Sequence, residues 1–386
     1  MGEWNKLDRV IRNRLNKKKI LVSGIGYDQG YSGLSSYIYE TIKIMESKYF
    51  VTIILLDKDY IKFPKEKFKN LKYIRLPKIF NLAILNVILH TFFLPILTYT
   101  KKWEVLFLAA GNRRLVIYST IPIISTFHDF SQLYVRGKYD KLRMFYIKYF
   151  LPFFINKIQK IFVISRSTKI DMEKFFNCEK KINLNHLGFT QMEIPTSLDS
   201  FESFSSKQSM KKNYILYVSR IEHPGKNHVN LLRAYSLLPE KLKEKYDLIF
   251  IGKEWSGSEI VKQEIDNVSL EKNVHIFGFV SDDDLYHFYK YASLFVFPSF
   301  YEGFGIPILE AMGHNIPVVC SDRASLPEVG GDAALLFNPD DPKDIASKMS
   351  QVLDDENFKN DLVIKGRENI KRFCWEKHVN TLFEGL

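Results

Sequence analysis

The stretch Leu294-Phe-Val-Phe-Pro-Ser-Phe-Tyr-Glu-Gly-Phe-Gly-Ile-Pro-Ile-Leu-Glu-Ala-Met-Gly313 decides the fold of this chain. It opens with four apolar residues, which is typical of a buried strand, and then turns through Gly303 and Gly305 into a second apolar run of helical character. Pro307 suits the first helical position because its missing N–H needs no partner there, and Gly313 suits the end of a short helix. A strand, a glycine-bounded turn and a helix form the repeating unit of a doubly wound α/β sheet.

The same alternation of apolar runs and helical segments extends along all 386 residues. Besides Leu294, predicted strands begin at Lys19, Val51, Val105, Ile121, Lys160, Tyr214, Asp247, Val274 and Pro317. A chain of this length exceeds what one hydrophobic core usually serves. The Ser-rich segment 190–213 lacks apolar periodicity and is the predicted linker. We therefore predict parallel sheets in two domains, 1–195 and 213–366, followed by a helix within 367–386.

The turn at Gly303 to Ile306 is predicted to bind an anion. Backbone N–H groups and the helix dipole at a helix N-terminus favour an anionic group such as a diphosphate. Glu302 precedes the turn and Glu310 lies on the helix, and a carboxylate accepts hydrogen bonds from sugar or ribose hydroxyls. A plain strand-to-helix connection is the alternative interpretation. The convergence of two glycines, two carboxylates and a proline favours a binding site.

A second candidate site is Ser219-Arg-Ile-Glu-His-Pro-Gly-Lys-Asn227, which follows a predicted strand. Arg220 and Lys226 flank a Pro-Gly turn that would bring both cations to one point. The forked guanidinium and the point charge of an ammonium together suit a diphosphate leaving group. A solvated basic turn is the alternative.

These motifs resemble the GT-B glycosyltransferases, specifically the large retaining group called family 4 or glycosyl transferases group 1. The resemblance extends over nearly the full chain and is strongest for bacterial polysaccharide and O-antigen mannosyltransferases. Its pieces are Gly30-Tyr-Ser-Gly-Leu34, His128-Asp129, SRIEHPGKN, GFVSDDDL, PSFYEGFGIPILEAM and the segment 321–334. It implies two Rossmann-like doubly wound domains facing across a cleft, with the C-terminal helix packing back on the first domain. The first loop departs from the family pattern, because Tyr31 stands where a further glycine is common.

The resemblance also implies residue roles. The implied catalytic residues are His128, Arg220, Lys226 and Glu302. The implied donor-binding residues are Gly33, Gly252, Val280, Gly303, Phe304, Gly305, Ile306 and Glu310. The expected reaction moves a sugar, with mannose from GDP-mannose as the leading candidate, to a hydroxyl of a lipid-linked or polysaccharide acceptor. A donor carrying UDP or dTDP, a GT-B-fold sugar-nucleotide epimerase, and a non-catalytic glycan- or lipid-binding protein are the alternatives.

We expect no cofactor and no metal, since the nucleotide-sugar is itself the donor substrate. Asp282-Asp-Asp284 is interpreted as the acidic first turn of a helix capped by Ser281, in preference to a metal motif. The fragment Gly24-Ile-Gly26 has Gln29 where a dinucleotide fingerprint needs its third glycine, so an NAD site is not favoured. Three isolated cysteines without a CxxC pair fit a reducing cytosol.

The formal net charge of +11 indicates an anionic partner. No nucleic-acid module is visible, so a membrane surface and phosphate-bearing ligands are favoured. The charged residues 1–19 do not resemble a secretory signal. Residues 79–99 are predicted to form a mostly buried helix with a narrow polar stripe through Asn81, Asn86 and His90, in preference to a membrane-inserted helix. The basic and aromatic segment 143–160 favours attachment to the inner face of the cytoplasmic membrane.

Overall fold

The computed structural model describes residues 17–28, 30, 32–100, 102–111, 116–134, 144–176, 178, 181–196, 201–208, 210 and 213–385. Within these residues, every pair of neighbouring strands is parallel. The strands are β1 Lys19–Ser23, β2 Phe50–Leu56, β3 Lys72–Leu76, β4 Val105–Leu108, β5 Ile123–Phe127, β6 Lys160–Val163, β7 Ile182–Leu184, β8 Tyr214–Val218, β9 Asp247–Ile251, β10 Val274–Phe277, β11 Leu294–Phe297, β12 Val318–Ser321 and β13 Ala334–Phe337.

Helices alternate with these strands. The described α-helices are α1 Gly33–Lys48, α2 Ala83–Ile88, α3 Leu94–Thr98, α4 Leu151–Ile155, α5 Arg166–Phe176, α6 Phe201–Lys207, α7 His228–Ser236, α8 Glu240–Lys245, α9 Ser258–Asn267, α10 Asp282–Tyr291, α11 Ile306–Gly313, α12 Leu326–Gly330, α13 Pro342–Asp354, α14 Glu356–Asn369 and α15 Trp375–Phe383. Two π-helical turns, Leu89–Phe93 and Tyr146–Phe150, interrupt helical segments of the first half.

The strands form two sheets with the same kind of topology. One sheet has the order β3-β2-β1-β4-β5-β6-β7 and the other has the order β10-β9-β8-β11-β12-β13. In each sheet the chain first moves to one side of its opening strand and then crosses to the other side. The loops that follow β1 and β4, or β8 and β11, therefore leave the sheet at a switch point, which is where such folds bind ligands. The predicted doubly wound α/β class is confirmed.

The chain divides into two compact units. The first unit contains β1–β7, reaches Gly188 and includes the terminal helix α15, which starts at Trp375. The second unit extends from Phe189 to Cys374 and includes the described residues 131–134. The predicted linker 190–213 contains the helix α6. Phe204 on α6 is buried and stacks on His287, with ring centroids 5.3 Å apart, which explains how a Ser-rich segment is held.

Three strands were not predicted from the sequence, and each lies at an edge of its sheet. These are β3, β7 and β13. An edge strand has one unpaired side and fewer buried positions, so its sequence is less uniformly apolar. In β3, for example, Lys72 and Arg75 are exposed and only Leu76 is buried.

The segment 79–99 is helical as predicted, but its orientation differs from the prediction. Its polar residues Asn86 and His90 are buried, whereas Asn81 and most of the apolar side chains are exposed. The expectation of a mostly buried apolar helix was therefore wrong. Among the described residues, no helix is long and apolar enough to cross a membrane.

The terminal helix α15 is anchored in the first unit by a buried polar chain. The Thr126 and Tyr37 hydroxyls are 2.8 Å apart, and the Tyr37 hydroxyl is 3.3 Å from His378 Nε2. His378 Nδ1 donates to the His186 carbonyl at 2.8 Å, because a carbonyl can only accept. His378 is consequently held as a neutral imidazole, and burial lowers its pKa to about 4.

The buried His378 predicts a dependence of stability on pH. In the unfolded chain a histidine has a pKa of about 6.5. Between this pH and about 4, His378 is protonated in the unfolded chain and stays neutral in the folded chain. The free energy of unfolding should fall, by on the order of 3 kcal/mol from this group, as the pH drops from about 6.5 to about 4. Urea unfolding followed at pH values spanning this window measures the effect. A His378→Gln variant should lose less stability across the window; a loss equal to that of the parent chain would show that His378 is not its source.

Candidate functional site

Two loops at the switch point of the second sheet are held together by Asn227. Its backbone is left-handed, with φ of 59°, and its side-chain amide donates to the Pro298 carbonyl at 3.0 Å and to the Pro339 carbonyl at 2.8 Å. The Phe300 N–H also donates to the Gly225 carbonyl at 3.1 Å. The loop after β8 and the loop after β11 are therefore fixed against each other.

This arrangement brings Lys226 into contact with Glu302. The ammonium nitrogen lies 2.6 Å from Glu302 Oε1, and only 15% of the Lys226 side chain and 16% of the Glu302 side chain are exposed. The Tyr217 hydroxyl donates to the Lys226 carbonyl at 2.7 Å and holds the lysine backbone. Because water solvates neither charge well, each depends on the other as its partner. The pair offers a cation to a phosphate and an acceptor to a hydroxyl at one place.

The predicted glycine-bounded turn is confirmed. Gly305 lies directly before α11 with φ of +108°, a backbone conformation that favours glycine, and a Cβ there would lie 2.8 Å from Leu326 Cδ2. The Ser325 hydroxyl is within hydrogen-bond distance of the Glu302 carbonyl at 3.0 Å and the Phe304 carbonyl at 2.8 Å, so it can donate to either. The first N–H groups of a helix have no acceptor inside the helix. The turn from Gly303 to Ile306 therefore presents an electropositive helix end beside the Lys226–Glu302 pair.

Arg220 has its own partners within the same loop as Lys226. Its guanidinium lies 3.1 Å from Glu222 Oε2 and 5.3 Å from the centre of the Trp255 ring, and its side chain is 45% exposed. The two cations that the sequence predicted to converge are thus each paired with a different carboxylate. Arg220 stays accessible to a ligand, whereas Lys226 is enclosed.

Gly252 connects the ends of three strands. Its φ is +148°, and a Cβ at this position would overlap the Ser219 carbonyl oxygen. Its N–H lies 3.1 Å from the Phe277 carbonyl and 3.2 Å from the Gly278 carbonyl. Gly252 therefore lets the loops after β8, β9 and β10 approach closely. Val280 follows in the last of these loops and is half-buried.

Glu310 is held by a tyrosine on the neighbouring helix. The Tyr289 hydroxyl donates to Glu310 Oε2 at 2.7 Å, and the Tyr289 ring stacks on His314 with centroids 5.2 Å apart. Burial raises the pKa of Glu310, and the hydrogen bond from Tyr289 opposes this effect. Tyr289 thus orients the carboxylate through Oε2. The other oxygen, Oε1, accepts no hydrogen bond from a residue that the structure describes.

The remaining predicted site residues, Gly33 and His128, lie in the first unit. Gly33 begins α1 after the N-cap Ser32, and no described atom lies within 4 Å of where its Cβ would be. His128 follows β5, and its Nε2 donates to the Ala109 carbonyl at 2.7 Å. The edge of its ring meets the Tyr37 ring with centroids 4.6 Å apart. Tyr31 and Gln29 of the first loop lie outside the described residues, as do residues 1–16.

Sequence reasoning missed the residues that position this site. Asn227, Tyr217 and Ser325 fix the loops and the turn through backbone carbonyls, and Tyr289 orients the Glu310 carboxylate. Asn227 had a usable signal, since asparagine tolerates the left-handed conformation and follows a Pro-Gly turn. The predicted cap is confirmed, because the Ser281 side chain accepts from the Asp284 N–H at 3.1 Å.

Comparison with known proteins identifies the family to which this chain is similar. A family model described as glycosyl transferases group 1 matches residues 199–369. The O-antigen chain mannosyltransferase B of Escherichia coli is 34% identical over 255 residues, which cover 66% of this chain and 67% of that protein. The serotype-specific mannosyltransferase WbdA of Escherichia coli is 33% identical over 248 residues, which cover 61% of this chain but 30% of that protein. The chain thus matches less than a third of the length of WbdA.

A solved structure supports the fold. The structure of HepE from Anabaena, in complex with UDP and glucose, matches 94% of this chain and 97% of its own with a TM-score of 0.71 at 14% identity. Two doubly wound units of this kind define the GT-B class of glycosyltransferases, and the predicted fold class is confirmed. The chain belongs to the glycosyl transferases group 1 family and is a glycosyltransferase.

Substituting alanine should have different effects at Gly305, in the turn before α11, and at Gly33, at the start of α1. Gly305→Ala should destabilise the protein by about 1–3 kcal/mol, because alanine is strained at the positive φ and its Cβ meets Leu326. Gly33→Ala should change stability by about 0.5 kcal/mol or less, because its Cβ enters open space. Chemical unfolding of both variants measures the difference. Equal stabilities would mean that Gly305 is not required by the backbone.

Proposed function

We propose that this glycosyltransferase moves a hexosyl group from a nucleotide-diphospho-sugar, with GDP-mannose as the leading candidate, to a hydroxyl of a lipid-linked or polysaccharide acceptor. The proposed setting is the assembly of a bacterial surface glycan. The observation on which the proposal chiefly depends is the enclosed Lys226–Glu302 pair beside the electropositive start of α11. The mannosyltransferase names of the two Escherichia coli relatives support the choice of sugar.

The proposed roles follow from the positions of the side chains in the second unit. Lys226 and the exposed guanidinium of Arg220 bind the diphosphate, and the N–H groups of the turn at Gly305 and Ile306 add donors. Glu302 accepts hydrogen bonds from sugar hydroxyls. Glu310 uses Oε1 for a ribose hydroxyl, while Tyr289 orients it through Oε2.

The remaining proposed contacts come from the strand ends and the first unit. Gly303 and Phe304 contact the donor through the backbone of the turn, and Gly252 and Val280 approach the nucleotide. Gly33 supplies a backbone N–H to the phosphate, and His128 contacts the transferred sugar and the acceptor. These assignments are supported by the family to which the chain belongs.

The proposed reaction retains the anomeric configuration. The bond between the anomeric carbon and the β-phosphate oxygen breaks, and the acceptor oxygen bonds to the same face of that carbon. The acceptor proton passes to the departing phosphate, so no separate carboxylate base is required. Lys226, Arg220 and the start of α11 stabilise the charge that develops on the nucleoside diphosphate. The proposed chemistry uses no metal ion, because these cationic groups supply the neutralisation.

A nucleotide panel tests the donor assignment. At 100 times its dissociation constant, a ligand stabilises the folded protein by about 2.7 kcal/mol. We expect GDP to raise the thermal midpoint more than UDP, dTDP or ADP at equal concentration. A larger shift with UDP or dTDP would reassign the donor, and no shift with any of the four would contradict the nucleotide-sugar proposal.

Substitutions at the enclosed ion pair test catalysis. Lys226→Ala and Glu302→Gln should each lower turnover on the order of 100-fold, the typical effect of losing one strong contact to a developing charge. Lys371→Ala is the matched control, because Lys371 makes a 2.6 Å ion pair with Glu368 on the exposed surface of the same unit. A non-catalytic binding protein would show no loss of glycan assembly in any of the three variants.

An acceptor-free incubation separates the transferase from an epimerase of the same fold. The protein is incubated with GDP-mannose, UDP-glucose or dTDP-sugars, and the sugars are analysed by chromatography. The transferase leaves the sugar portion unchanged in the absence of an acceptor. Formation of an epimer under these conditions would refute the proposed transfer reaction.

A further inference from the structure

The helical segment between β3 and β4 buries several polar side chains and exposes many large apolar ones. Its buried side includes the polar residues Asn86, His90 and Thr98 beside Leu89 and Leu94. His90 Nδ1 donates to the Asn86 carbonyl at 3.0 Å. Because Nδ1 holds the proton, Nε2 accepts from the Ser23 hydroxyl at 2.7 Å. At the other end, the Thr98 hydroxyl accepts from the Thr120 N–H at 3.1 Å. These buried hydrogen bonds fix which side of the segment faces the sheet.

The outer side of the same segment is apolar and exposed. Eight large apolar side chains on it are between 37% and 60% exposed, and they are Ile79, Leu82, Val87, Ile88, Phe92, Phe93, Ile96 and Tyr99. A helix in contact with water normally buries such residues and exposes its polar ones. Large apolar side chains exposed together on one segment mark an interaction site.

A second apolar surface lies on the connection between β5 and β6. Phe145, Tyr149, Phe150 and Phe153 are between 49% and 59% exposed. Crossover connections between parallel strands are right-handed, and both β3 to β4 and β5 to β6 run in the same direction across the sheet. The two segments therefore cover the same face of the first sheet. We call their exposed apolar side chains, Ile79 to Tyr99 and Phe145 to Phe153, the docking face.

The charged residues within the two segments of the docking face are all basic. Residues 77–103 contain Lys78, Lys101 and Lys102, residues 144–160 contain Lys148, Lys157 and Lys160, and neither range contains Asp or Glu. The ammonium groups of Lys148 and Lys157 lie 5.4 Å and 5.5 Å from the ring centres of Tyr149 and Phe153. Exposed aromatic and aliphatic side chains with lysines among them are the composition of a surface that enters an anionic lipid interface.

We propose that the docking face binds the surface of an anionic lipid bilayer, with its apolar side chains at the level of the headgroups and its lysines against the lipid phosphates. The absence of acidic residues from both ranges favours this occupant over a second copy of the chain, whose docking face has the same positive charge. The proposed attachment uses side chains that are exposed on the surface of the first unit. The proposal is independent of the donor and the acceptor.

Vesicle sedimentation tests the docking face. The intact protein is mixed with phosphatidylcholine vesicles with and without phosphatidylglycerol, and the bound fraction is measured. We expect binding to the anionic vesicles that weakens as salt is raised. The double variant Phe92→Glu/Phe93→Glu should lower the partition coefficient about ten-fold or more. Tyr149→Glu/Phe153→Glu tests the second segment in the same way.

The matched control is Leu237→Glu/Ile364→Glu, which adds the same charge at side chains of the second unit that are 53% and 60% exposed. It should bind anionic vesicles as the parent chain does. Failure of the parent chain to bind them, or equal losses in the control and the docking-face variants, would overturn the proposal. A dimer of the parent chain that sedimentation velocity shows to be abolished by Phe92→Glu/Phe93→Glu would instead assign the face to a second copy. The GDP thermal shift of each variant, expected to match the parent, reports separately on donor binding.

Discussion

The side-chain amide of Asn227 is the constraint on which the candidate site depends. By donating to the carbonyls of Pro298 and Pro339, it fixes the loop after β8 against the loop after β11. The left-handed backbone of the same residue ends the turn that presents Lys226. Lys226 and Glu302 are 76 positions apart in the sequence, and their 2.6 Å contact exists because these loops are held together. The contact between these two charges thus depends on the side chain of a third residue, which bonds to backbone carbonyls in place of either charge.

The sequence was sufficient for the fold because buried parallel strands are continuous apolar runs, such as Phe295 to Phe297 and Leu248 to Ile251. It was also sufficient for the glycine turn, where positive φ and the nearness of Leu326 leave little alternative to Gly305. It could not reveal pairings between distant loops. Lys226 and Arg220 are both basic residues of one loop, and the sequence does not distinguish them. Their different partners, Glu302 and Glu222, are set by the tertiary structure.

The segment 79–99 shows a second limit of sequence patterns. Periodicity identifies which residues share a face of a helix, but it does not say which face points inward. Partners elsewhere in the chain decide which face is buried. The Ser23 hydroxyl at the end of β1 donates to His90, and the Thr120 N–H donates to the Thr98 hydroxyl. Buried polar groups need hydrogen-bond partners, and here that requirement outweighs the burial of phenylalanine and isoleucine side chains.

The placement of α15 has a consequence for the order in which the protein is made. The first unit contains β1 to β7, yet its core is completed by Trp375 and His378, which leave the ribosome after the entire second unit. Gly188 has no side chain because the Trp375 indole occupies that space. During synthesis the second unit can fold while the first still lacks this helix, although domains generally fold in order from the N-terminus. A nascent chain would therefore complete its second unit before its first unit receives its last helix.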